Sequence, residues 1–211
     1  MIGAICNGMK ITRRAVLMGW VGMACLVTAA CATGHPIHYY TIDPPPTTGA
    51  VSAKPRGLVL LVGRFATPET LEDGRIRYRT GSNEVGAYEY HRWTVGPGLM
   101  VRDLLIQTLR RSGKYRQVQE SSSAAAGDYL IRGRLYDFSE VDRPGLRTRI
   151  SLQLELVDRK NGLVVWDHYY NRDERVDGKA IKDVVASLDR NLQQVITEAA
   201  SGVEGFLSNR S

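Results

Sequence analysis

Cys31 has the most distinctive chemical setting in this 211-residue chain. A thiolate is a good nucleophile and is readily acylated. Small residues, Ala29 and Ala30, stand directly before it. Further upstream, Lys10, Arg13 and Arg14 form a basic region, and Ala15 to Ala30 is an uncharged, mostly apolar run of about 16 residues. A basic front, an apolar middle and a small-residue cleavage site form the layout of an export signal.

A cysteine placed immediately after those small residues resembles a bacterial lipobox. The resemblance implies diacylglyceryl transfer to the Cys31 sulfur, cleavage before it, and acylation of the new amine with palmitate-type chains. Two or three acyl chains hold a protein on a bilayer where one does not. Thr28 stands three residues before Cys31, where a large aliphatic residue is usual. Cys25 is the competing acceptor, with Gly22 at its matching position. The rival reading is an uncleaved anchor, for which the run falls short of the roughly 20 residues a spanning helix needs. Thr12-Arg13-Arg14-Ala15-Val16-Leu17 partly matches a twin-arginine signal, so both export routes fit.

Other chemistry-bearing residues form weaker patterns. His35 and His38 have metal-ligand spacing but lie in a tether beside Pro36. His91 and His168 have no nucleophile at a recognisable distance. Asp137, Glu140 and Asp142 cluster at a strand end and read as a solvated turn. Gly96-Pro97-Gly98 matches neither glycine-rich phosphate pattern, and Ser121-Ser122-Ser123 lacks a nucleophile-elbow context. No catalytic set, cofactor site or metal site is assembled from these residues, and the expectation is a protein that is not an enzyme.

The arginines carry more. Arg75, Arg77 and Arg79 alternate with Ile76 and Tyr78, Arg132 and Arg134 lie opposite Tyr129, Ile131 and Leu135, and Arg147 and Arg149 lie opposite Leu146 and Ile150. Where these faces coincide, one side of a sheet is strongly basic. That side reads either as a solvated face that resists aggregation or as a docking face for an acidic partner or for phosphate groups near a membrane. Tyr88, Tyr90 and Trp93 add an aromatic segment nearby, read chiefly as core.

The elements that position these residues follow from periodicity. Residues 1–30 read as signal peptide, 31–57 as a lipidated, Pro-rich tether and 58–211 as one domain. Removing the signal takes three basic and no acidic residues, so the net charge falls from +6 to +3. That charge alone gives no argument for nucleic acid. Leu58 to Val62 is an unbroken apolar run suited to a central strand. Arg75–Thr80, Tyr129–Phe138 and Leu146–Val157 alternate with period two, as strands with one covered face do. Val85–Trp93 is a further strand, and Asn161-Gly162 joins Leu146–Val157 to Leu163–Asn171 as a hairpin. Gly96-Pro97 opens a helix closed by Gly113. Ile181, Val185, Leu188, Leu192, Val195, Ala199 and Phe206 mark a second helix over about 179–207, with a stripe wide enough to lie on a sheet. The expected architecture is α+β: a sandwich of a largely antiparallel mixed sheet with two helices on one face.

Tyr39-Tyr40-Thr41-Ile42 after the lipobox, His91-Arg92-Trp93 before an amphipathic helix, Asp128-Tyr129-Leu130-Ile131-Arg132-Gly133 leading to Asp137-Phe138, and the long C-terminal helix stand in an order that resembles the ABC-type transport auxiliary lipoproteins. Val95-Gly96-Pro97 stands where that family continues with an acidic-proline pair, which leaves the subfamily open. The resemblance implies a non-enzymatic, lipid-anchored component of a mammalian-cell-entry (MCE) domain lipid transport system of the paraquat-inducible type. The implied partners are an MCE-domain protein and an ABC permease/ATPase complex, with the membrane held through the lipid anchor. A homo-oligomer also fits, and nucleic acid is not expected. Ala32, in place of a retaining Asp after Cys31, points to the outer membrane, facing the periplasm. The alternative is an outer-membrane assembly or peptidoglycan-synthesis regulator lipoprotein.

Overall fold

The computed structural model describes residues 35–42, 55–81, 83–122 and 125–210. The expected signal segment, Cys31, Cys25 and the triple-proline stretch lie outside the described residues. The folded unit begins at Ile37.

The described strands are β1 (His38–Tyr40), β2 (Arg56–Val62), β3 (Arg75–Thr80), β4 (Glu84–Trp93), β5 (Tyr115–Glu120), β6 (Tyr129–Val141), β7 (Arg147–Asp158) and β8 (Val164–Arg175). The helices are α1 (Pro97–Arg111) and α2 (Ile181–Ser208), and a short 3-10 turn covers Glu69–Leu71. All eight strands join one mixed sheet. β6 is its spine. One edge of β6 pairs antiparallel with β7 over the whole strand, and β7 continues into β8 through the hairpin. The other edge is shared: β2 pairs in parallel with Tyr129–Ile131, and β3 pairs in parallel with Ser139–Val141. β5 lies outside β2, and β4 and then β1 lie outside β3. The α+β architecture expected from periodicity is therefore present, with the long antiparallel ladders on one flank and, on the other, short parallel ladders with the antiparallel β3–β4 pair.

Both helices cover the same face. Ile131, Leu135, Phe138, Ile150, Leu152, Leu154 and Leu156 point from β6 and β7 into a single core with Val101, Leu105 and Leu109 of α1 and Leu188, Leu192, Val195 and Val203 of α2. The non-polar area removed from water at these positions is the main stabilising term, about 1.5–3 kcal/mol for each large side chain fully buried. Pro97 sits at the first turn of α1, where its missing N–H costs nothing. Gly113 takes φ +63° just past the helix end, a left-handed conformation that favours glycine. At the hairpin, Gly162 takes φ +74°, as a tight turn between twisted strands requires.

Two features differ from the sequence expectation. Tyr115–Glu120, which alternation does not mark, is the edge strand β5. His38–Tyr40 lies within the 31–57 segment, where Tyr39 to Asp43 reads as a short extended piece after the tether; it pairs in parallel with His91–Trp93, so the sheet begins inside that segment. The pairing is followed by a backbone hydrogen bond from the Thr94 N–H to the Tyr40 carbonyl, 2.8 Å.

Candidate functional site

The face of the sheet turned away from the helices gathers the arginines singled out by alternation. Strand pleating puts Ile76 in the core and Arg75, Arg77 and Arg79 on the other side. A register shift between Leu135 and Asp137 lets Asp137 face the same way as Arg132 and Arg134. On β7, Arg147, Arg149, Gln153 and Glu155 alternate with buried Thr148, Ile150, Leu152, Leu154 and Leu156.

The seven arginines share this face, but most are neutralised. Arg75 and Arg77 both reach Asp73, at 2.8 and 2.7 Å. Arg79 pairs with Asp137 at 2.8 Å, and Arg132 with Glu155 at 2.7 Å. Arg149 grips Asp173 with both arms of its guanidinium, Nε to Oδ1 at 2.7 Å and Nη2 to Oδ2 at 2.8 Å. The face is thus a charge-paired lattice rather than a uniformly basic one. Asp73 comes from the turn just before β3, whereas Asp137, Glu155 and Asp173 reach their arginines from neighbouring strands, so alternation along one strand does not disclose those three pairings. The pairing acts on protonation. Burial works to raise the Asp73 carboxyl, but hydrogen bonds from Arg75 and the charges of Arg77 and Arg75 prevail and hold it below its ordinary value. The hydrogen bonds from Arg149 hold Asp173 down in the same way, against partial burial.

Two tyrosines break the lattice. Tyr136 and Tyr169 meet edge to face at 5.8 Å, and Tyr169 is 53% exposed. Arg134 lies 5.9 Å over the Tyr136 ring, and the Tyr136 hydroxyl donates to Gln153 Oε1 at 2.8 Å. An exposed aromatic pair inside a rim of paired charges has the composition of a protein contact surface.

A second cluster joins the N-terminal strand to β4. His38 stacks on His91 with ring centroids 5.3 Å apart, and the Tyr40 hydroxyl shares a 2.9 Å hydrogen bond with His91 Nδ1. Tyr88 meets His91 edge on and donates to Glu140 Oε2 at 2.7 Å. Burial raises the Glu140 carboxyl and, with the Glu140 charge, the Tyr88 phenol. His91 is lowered by burial and by His38. The spacing of His35 and His38 suggests a ligand pair, but the structure gives His38 to His91 instead. Among the described residues no group of three or more His, Cys, Asp or Glu side chains is placed to hold a metal ion. His168 stacks between Trp166 and Tyr170 on β8.

Two cavities open where β6 changes partner. After Val62 the chain leaves the β2 ladder, and Ala66 is bridged to β6 beside Arg134 before β3 begins. Arg64, Ala66, Arg132, Gly133, Arg134, Gln153 and Glu155 line a space of about 340 Å³ on the arginine face. A space of about 520 Å³ shares Arg64 and Ala66 and is walled by Phe65, Leu71, Leu99 and Arg102. Arg102 is held by Asp103 and Glu120. Sequence reasoning misses Arg64 and Phe65, because no periodicity marks a segment between two ladders.

With this geometry in place, comparison with known proteins decides the family. The model of the ABC-type transport auxiliary lipoprotein component matches residues 40–200. The chain belongs to that family. The match runs from the end of β1 through most of α2, so it takes in β2 to β8. Among solved structures, protein XCC0632 from Xanthomonas campestris superposes with a TM-score of 0.71 at 20% identity, covering 84% of this chain and 100% of that one. A crystal structure of an uncharacterized protein gives 0.63 at 14% identity, covering 80% of this chain and 99% of that one. At these identities the likeness is one of fold. No curated protein sequence matches. Membership makes this an auxiliary component of ABC-type transport. Among the described residues no helix is long and apolar enough to cross a membrane.

Proposed function

We propose that this auxiliary lipoprotein is anchored through acylated Cys31 to the outer membrane, faces the periplasm, and docks the periplasmic end of an MCE-domain assembly whose ABC permease moves lipid between membranes. The observation that carries the reading is the family match over 40–200, and the sequence read as an export signal over residues 1–30, with Cys31 next, supports the anchor. His38 follows Cys31 by seven residues, so a short tether joins the anchor to the first strand. The face bearing Tyr136 and Tyr169 among paired arginines supports docking by contact. In this reading the protein performs no chemistry, and the driving energy comes from the permease complex.

The test is Cys31→Ala in cells. The variant accumulates in the soluble periplasmic fraction, and intermembrane lipid transport falls to the level of a strain lacking the protein. Membrane retention with transport intact would contradict the reading.

A further inference from the structure

The cavity at the split edge of β6 carries charges that the lattice leaves over. Three guanidinium groups, those of Arg64, Arg132 and Arg134, line it against one carboxylate, Glu155. Glu155 is committed to Arg132 at 2.7 Å. Among the described residues Arg134 has no carboxylate within ion-pair distance and lies over the Tyr136 ring, and Arg64 is exposed on the segment that peels away from β2. Gln153 spends its carbonyl oxygen on the Tyr136 hydroxyl, which leaves its amide N–H groups as donors at the cavity wall.

The floor is made possible by Gly133. A Cβ there would come within 2.6 Å of the Phe65 ring, so the absence of a side chain lets Phe65 close the sheet behind the cavity. The result is a hollow of about 340 Å³ with donors on its wall, an excess of positive charge and an unreactive floor.

We infer that this cavity binds a phosphate group. The planar guanidinium fork matches phosphate oxygens bidentately, and a phosphate offers enough acceptor oxygens for Arg64, Arg134 and the Gln153 amide together. The second cavity shares Arg64 and Ala66 as a wall, with Leu99, 40% exposed, over the nearly fully buried Phe65 and Leu71. Apolar surface beside a phosphate site suits a phospholipid, whose headgroup would lie on the arginines. The inference deepens the transport reading and rests on it for the ligand's source.

The test is isothermal titration of the full-length protein, purified in a nonionic detergent, with inorganic phosphate and with dihexanoyl phosphatidic acid. Saturable binding is expected, weakened about tenfold or more when Arg64→Gln and Arg134→Gln are combined. Arg143→Gln, whose side chain is 75% exposed outside the cavity, leaves it unchanged. Melting curves of the variants confirm that they fold. Tighter binding of the lipid identifies a headgroup as the source, and equal binding identifies free phosphate. Absence of saturable binding by either, or equal weakening by Arg143→Gln, overturns the inference. Because the titration needs no transporter, its failure is distinct from failure of the Cys31→Ala test.

Discussion

His91 fastens β1 to the rest of the sheet through its stack with His38 and its hydrogen bond with Tyr40. Burial and the His38 charge lower its folded-state value below the ordinary 6.5. The folded protein therefore holds fewer protons on this ring than the unfolded chain once the pH drops below that ordinary value. Stability is lost as the pH falls from there toward the lowered folded value. Glu140, raised by burial, works in the opposite sense: its folded form keeps a proton the unfolded chain gives up, so it favours the fold as the pH falls toward 4.5. Comparing wild type with His91→Gln separates the two. Melting temperatures at pH 8 and pH 5.5 should fall further for the wild type than for the variant, and parallel changes would refute the role of His91. Strand alternation shows which way Arg132, Arg149 and their neighbours point. It does not show Asp137 or Asp173 beside them, because those contacts cross strands and, at Asp137, depend on a register shift.

At the scale of elements, α2 was legible because its apolar residues recur at helical spacing, and the structure places it over Ile181–Ser208. What periodicity leaves out is its polar seam. Ser187 Oγ lies 2.9 Å from Thr148 Oγ1, and the Asn191 amide donates to the Thr148 and Arg172 carbonyls at 3.2 and 3.1 Å. Both helix residues are fully buried. The Ser187 hydroxyl and the Asn191 amide N–H groups find partners only where α2 sits at this register on the β7–β8 ladder, which keys the helix there. Asn191→Ala should reduce unfolding free energy by about 1–3 kcal/mol in a denaturant titration; an unchanged midpoint would show the seam to be passive. β5 escapes a sequence reading for a related reason. It is an edge strand in which Tyr115 and Val118 are buried while Arg116 and Gln117 are exposed, so the period-two signal is broken. The split of β6 between β2 and β3 is likewise a matter of long-range pairing, and the cavities that follow from it were not foreseeable.

At the scale of the molecule, order along the chain carries most of the reading: an expected export signal over residues 1–30, then a sheet whose described helices cover one face. The fold spends its apolar residues on that covered face and its arginines, largely neutralised, on the other. In the proposed function such a body acts by contact, with Tyr136 and Tyr169 as the aromatic centre of the open face. Placing a photo-crosslinking residue at Tyr169 in the anchored, full-length protein tests this most directly. Irradiation of cells should join position 169 to an MCE-domain protein, with no adduct from the same residue placed at Arg143. Adducts confined to barrel-assembly or wall-synthesis proteins, or none from position 169, would contradict the account.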